Sequence, residues 1–241
     1  MEKTQAIVIK SSDRKEKDKN ILLFSIELGK VWATLKGVKG SNAKMKLAQS
    51  PFCFAEFVLE EGKMGKIVTG LEVIETFHEI SEDIDKYFEA SAVLEVVNAL
   101  EYSSENDRAQ MFMLVLKTLK TICFSNTKSN YALNKFFLEL FKLSGFPLSV
   151  EKCSGCGTTA FDRLYINYID GTIECVSCKG IASEEIPAVV LSALKIINNT
   201  NIDRLNTLKL APVSEVALLK MLVKNFENRF DKRLNLIGIL K

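Results

Sequence analysis

Four cysteines set the tightest limit on what this 241-residue chain can fold into. Cys153-Ser154-Gly155-Cys156 is answered by Cys175-Val176-Ser177-Cys178, two Cys-x-x-Cys pairs with eighteen residues between them. This is the spacing of a structural zinc site. A two-residue gap lets both thiolates of a pair turn toward one ion, and two pairs close a tetrahedron. Between the pairs, residues 163–169 and 172–175 are β-rich runs on either side of Asp170-Gly171. That dipeptide predicts a type I′ turn, whose short hairpin would bring the pairs together. Gly157 and Gly180 stand just past each pair, where the backbone must turn tightly.

Disulfides or four ordinary thiols are the alternatives. Residues 1–10 lack the positive start and long apolar core of a signal peptide. A reducing, cytoplasmic compartment is therefore expected, which disfavours disulfides. Four protein ligands leave no open position for water or substrate, so the expected zinc is structural rather than catalytic. The other two cysteines, Cys53 and Cys123, sit inside apolar runs and read as small buried hydrophobes.

The first third of the chain has the period of strands. Short strands are expected over 6–9, 21–26, 31–36, 52–60 and 66–77, with a charged loop over 11–20 and a long basic connection over 37–50. Along the third run, Val31, Ala33 and Leu35 face one way, and Trp32, Thr34 and Lys36 the other. Five short strands in so few residues fit a small barrel of the oligonucleotide-binding (OB) type. After His78 the period changes to three and four. Helices are expected over 84–102, 108–124, 131–143, 188–198 and 213–230. Asn106 or Asp107 is the candidate cap of the second and Ser129 or Asn130 of the third, which stops at Gly145 before Pro147. The expected architecture is α+β and multidomain: an OB-like barrel over 1–78, then a helical domain over 79–241 with a zinc ribbon inserted at 150–182.

Net charge is only +2, but the charges are segregated. Residues 10–46 hold ten basic side chains against four acidic ones, whereas 79–107 hold nine acids against Lys86 alone. Separate surfaces for separate partners would follow; two solvated faces are the plainer alternative. Trp32 amid lysines suits a single strand, whose bases stack while its phosphates meet cations. Packing of Trp32 against the helical domain is the competing use. The candidate DNA contacts are Arg14, Lys15, Lys30, Trp32, Lys36, Lys39, Lys44 and Lys46. Signatures of catalysis are missing. The chain has one histidine, His78; the segment 61–66 lacks the spacing of a phosphate loop and reads as a hairpin turn. No apolar run approaches the roughly eighteen residues of a membrane span.

Several segments, in this order, resemble the RecO family of recombination mediators in bacterial DNA repair. They are Leu28-Gly29-Lys30-Val31 leading to Lys36-Gly37-Val38-Lys39, then Leu47 through Phe52, Leu71 through Glu75, and Phe136 through Phe146 just before the first cysteine pair. The resemblance implies an N-terminal OB barrel, a helical domain and a zinc ribbon, without turnover of a small substrate. It further implies binding of single- and double-stranded DNA and annealing of complementary strands. With RecR, such a protein helps RecA replace single-stranded-DNA-binding protein (SSB), whose C-terminal tail meets an apolar groove of the helical domain. The implied setting is the bacterial cytoplasm, at the nucleoid. The alternative is a zinc-ribbon adaptor that docks proteins without touching DNA.

Overall fold

Alternation along the strands decides the first part of the molecule. In the computed structural model, which describes residues 1–14, 17–38, 43–63, 65–125, 130–160 and 162–235 (side chains of 43 and 44 excepted), five strands close into a barrel. They are β1 (Glu2–Asp13), β2 (Lys19–Ser25), β3 (Gly29–Leu35), β4 (Phe54–Gly62) and β5 (Gly65–Glu75), in the order β1-β2-β3-β5-β4. Val8, Ile21, Leu23, Ala33, Leu35, Phe57 and Leu59 fill the interior. β1 serves both halves of the barrel. Its first residues pair with β4 and its later ones with β2, and the register slips between Val8 and Lys10. Such a bulge bends a strand and sharpens its twist, as closure requires. The last seam is short: among the described residues β3 and β5 run parallel and pair at Ala33↔Lys66 and Thr34↔Ile67. The segment 61–66 is indeed a hairpin turn, with Gly62 opposite Gly65.

Three differences from the sequence reading concern this part. The expected loop over 11–20 is strand at both ends, because backbone pairing carries β1 on through the polar Ser11 and Ser12 to Asp13 and begins β2 at Lys19. The basic connection contains a short helix, α1 (Ala43–Leu47). Helix also begins earlier than expected after the barrel, with α2 (His78–Glu82) ahead of α3 (Ile84–Ala99). Helix α4 (Glu105–Cys123) starts at a reciprocal cap: Asp107 N–H donates to Ser104 Oγ, and Ser104 N–H donates to the Asp107 carboxylate. Ser104 is thus the cap, and Asp107 supplies the returning bond of a capping box. The outward-facing Phe24 of β2 is fully buried because Tyr102 and Phe112 lie 5.0 and 5.9 Å from its ring. Packing accordingly groups the barrel with α2–α4 as one unit, Met1–Cys123.

The second unit, Phe124–Lys241, is built on α5 (Tyr131–Leu143). This helix is buried nearly all round, with Phe136, Phe137 and Phe141 packed near Phe226. It stops as the sequence indicates. Gly145 takes a φ of 79°, and Phe146 N–H reaches back to Phe141 O at 2.8 Å. Asn130 stands at its start without a side-chain capping bond, and Ser129 lies outside the described residues. Strands β6 (Leu164–Asn167) and β7 (Thr172–Cys175) form the ribbon hairpin, joined on β6's other edge by β8 (Ser183–Glu185). Helices α6 (Ala188–Asn199) and α7 (Pro212–Phe230) complete the unit, with a 3-10 turn over Ile202–Thr207 between them.

The ribbon turn is not the expected two-residue type. Asn167 pairs with Thr172, which leaves a four-residue loop over 168–171. The Asn167 carboxamide oxygen accepts the N–H groups of Ile169 and Asp170 and builds the bend itself. Two cations of α7 hold this ribbon. Lys224 pairs with Glu184 and sits 4.4 Å over the Tyr168 ring, and Arg229 donates to Asp170 O while lying 4.3 Å over Phe146. At Gly171, where φ is 61°, a Cβ would fall 1.7 Å from the Arg229 guanidinium, so that side chain would have to move off the turn. Among the described residues no helix is long and apolar enough to cross a membrane.

Candidate metal centre and nucleic-acid interface

The four ribbon cysteines converge. Their sulfurs all lie within 4.8 Å of one another, held by two tight turns. In the first, Gly157 N–H donates to Cys153 O, and in the second Cys178 and Lys179 N–H donate to Cys175 O. Ser154 N–H donates to Ile173 O of β7, which ties the first turn to the hairpin. Gly155 allows a close approach: a Cβ there would press on Cys178 Cβ and Sγ, both at 3.0 Å.

The donor set fits a tetrahedral thiophilic ion. Metal–sulfur arms of about 2.3 Å in a tetrahedron put neighbouring sulfurs about 3.8 Å apart. Cys156 and Cys175 sulfurs are separated by 3.8 Å. Backbone N–H groups of Cys156 and Cys175 aimed at the Cys153 sulfur hold that thiol down at about 6, ready as a thiolate. Its neighbours, Cys156 first, push Cys178 up to about 12. Crowded sulfurs resist sharing negative charge, and a bound cation reverses that logic. Cys53 and Cys123 contrast with them: both are buried, and burial pushes their thiols up to about 11 and about 12. His78 is exposed at the start of α2, paired with Glu82 at 3.2 Å.

The other candidate site is the outer surface of β1–β3. Strand register aligns Lys10, Leu22 and Trp32 in one row across the three strands, and Ser12, Asn20 and Thr34 in the next. Alternate residues point inward, so both rows face out. Trp32 is 49% exposed. The Arg14 guanidinium lies along the second row, donating to Thr34 Oγ1 and to Asn20 Oδ1. Asp18 pins the adjoining loop by accepting Gly37 N–H at 2.9 Å. Lys36 and Lys46 are exposed. Lys15 and Lys39 lie outside the described residues; Lys44 falls within α1, but its side chain lies outside them.

Lys30 has a different employment. Its ammonium donates to Asn98 O at 2.9 Å and Leu100 O at 2.7 Å, and pairs with Glu101 at 3.0 Å. All three partners sit at or just beyond the C-terminus of α3, where a cation is favoured. Lys10, Ser12 and Asn20 are neighbours of Trp32 that the sequence reading did not select. Lys10 was legible as one more cation, but its alignment with Trp32 depends on the bulge in β1. The outer surface of β4–β5 has the opposite sign, carrying Glu56, Glu60 and Glu72, with Lys3 held by Glu56 at 2.8 Å.

Comparison with known proteins places both parts. Residues 1–77 match the family described as "Recombination protein O N terminal", and residues 81–236 match "Recombination protein O C terminal". The chain is 28% identical over 233 residues to a DNA repair protein RecO of Clostridium novyi, covering 96% of this chain and 90% of that one. A RecO of Thermoanaerobacter sp. is 28% identical over 232 residues, covering 95% and 92%. One of Clostridium kluyveri is 25% identical over 241 residues, covering 99% and 93%.

Proposed function

The chain belongs to the RecO family of DNA repair proteins, and from that premise we propose that it is a recombination mediator that binds DNA on the outer surface of β1–β3. The observation that carries this reading is the row Lys10–Leu22–Trp32, flanked by Arg14 and Lys36 and set opposite an acidic β4–β5 surface. Cations there neutralise phosphates, while Trp32 offers one base a stacking partner. Screening two strands on such a surface lowers their mutual repulsion, which is what annealing requires. Single strands and duplex both supply the phosphates. Lys46 adds one more exposed cation, Lys15, Lys39 and Lys44 are proposed as contacts from the sequence alone, and Lys30 is left out because its donors are engaged. RecR, the SSB tail and, indirectly, RecA are the protein partners, in the bacterial cytoplasm at the nucleoid. The Cys153–Cys156–Cys175–Cys178 cluster holds one structural zinc ion.

An adaptor that docks proteins through the ribbon is the second reading, favoured by Val176 and Ile181, exposed at the ribbon. A salt titration of single-stranded oligonucleotide binding, followed by emission of the chain's single tryptophan, separates the two. The mediator reading expects quenching and a slope of about −0.7 in log K against log salt for each phosphate neutralised. A slope near zero, or no binding at low salt, gives the adaptor the lead.

A further inference from the structure

The row Lys10–Leu22–Trp32 does not end on open surface. Leu22 and Trp32 also line a cleft of about 590 Å³ within the first unit, between β2–β3 and the segment that follows α3. Tyr102 and Leu28 supply further wall, and Asn98 and Glu101 stand on the helix side. Its size is in the range of small-molecule pockets.

A phosphate finds few unengaged donors in this place. Both cations of the cleft have turned toward the protein: Lys30 to two backbone carbonyls and Glu101, Arg108 to Ile26 O at 2.6 Å and Glu27 O at 3.4 Å. The Glu101 carboxylate takes Lys30 on Oε1 but is 87% exposed, and it lines the same cleft as the aromatic Trp32. A flat, uncharged ring that stacks and donates a hydrogen bond is the complement of such walls.

We infer that this cleft is a base pocket, taking one unstacked nucleobase from a strand bound on β1–β3 and favouring bases that carry an exocyclic amino group. The inference rests on the DNA-binding reading above and deepens it. Cytosine and thymine test it with least confusion, since both are single rings. Cytosine presents its N4 amino donor where thymine presents the O4 acceptor. Glu101 accepts from the first and repels the second.

The experiment uses the whole chain and homopolymers of cytosine and of thymine, equal in length and measured at one salt concentration by anisotropy. The expected result is about tenfold tighter binding of the cytosine strand, the scale of one hydrogen bond to a charged acceptor. Glu101→Ala should bring the ratio close to one while thymine binding persists. The salt slopes for the two strands should stay alike, because phosphates do not enter the pocket. Equal affinities for wild type, or a ratio unmoved by Glu101→Ala, overturn the base pocket and leave the DNA-binding surface standing. Binding of neither strand at low salt overturns both.

Discussion

The barrel and the ribbon reach order by opposite routes. In the barrel, inward side chains of five strands bury one another, and register follows because a one-residue slip would turn every apolar side chain outward. The ribbon has three short strands, two of four residues and one of three. Leu164, Tyr165, Ile166, Tyr168 and Ile173 are buried, but Ile169, Val176 and Ile181 face solvent, so the ribbon's apolar side is smaller than the barrel interior. Its geometry also depends on four convergent sulfurs, the turns that aim them, and the clamps from α7. A fold held by area loses stability piecemeal when one side chain is trimmed. A fold held by a coordination sphere loses it at once, because metal binding and local folding are the same equilibrium.

The largest expected effect follows. Cys175→Ser should take the zinc content from one ion per chain to almost none and lower melting of the second unit by on the order of 10 °C. Cys53→Ser, in the barrel core, should leave the zinc content unchanged. Metal analysis beside a thermal melt checks both. Full zinc in Cys175→Ser would break the contrast, since the site would then be holding its ion without the sphere described here.

The contrast also explains what was readable in advance. The barrel announced itself through alternation, as at Val31, Ala33 and Leu35, all of which pack into or against the barrel core. The ribbon's cysteine cluster was readable for a different reason: a metal site would need fixed residue types at a fixed spacing. Features imposed by partners distant in the chain left no local trace. β8 is Ser183-Glu184-Glu185, a strand only because β6 offers it a pairing edge. The ribbon turn looked like Asp-Gly, but Asn167 satisfies the loop N–H groups and makes four residues the better closure. The role of Lys30 was hidden for the same reason, since its acceptors Asn98 and Leu100 come 68 and 70 residues later.

A second prediction concerns a polar group inside the second unit's apolar packing. Glu215, in the first turn of α7, is 5% exposed, and its Oε2 has no hydrogen-bond partner among the described residues. Burial pushes its carboxyl up to about 7 from an ordinary 4.5, against a smaller opposing effect of the Asn130 N–H. The folded chain therefore keeps a proton that the unfolded chain releases at lower pH. Stability from this group is whole below about 4.5, declines as pH rises through the window to about 7, and is flat above it. Glu215→Gln retains an acceptor for Asn130 and removes the charge. It should flatten the decline and stabilise the second unit by about 2 kcal/mol at pH 8. Denaturant melts at pH 4.5 and 8 give the comparison, and an unchanged pH dependence would refute the assignment.

The smallest effect separates two lysines that the sequence places side by side on one basic surface. Lys30 is only 15% exposed and straps β3 to the end of α3; Lys36, just past β3, is exposed. Lys30→Ala removes the donor from two α3-end carbonyls, so the first unit should lose about 1 kcal/mol, and Glu101 loses its ion partner. Its salt slope for single strands should stay within error of wild type, since that ammonium neutralises no phosphate. Lys36→Ala should do the reverse: unchanged melting, with the slope flattened by about 0.7, one phosphate contact. If both variants flatten the slope equally, Lys30 leaves its carbonyls when DNA binds. The strap would then be part of the binding surface, and the end of α3 would be the element that moves.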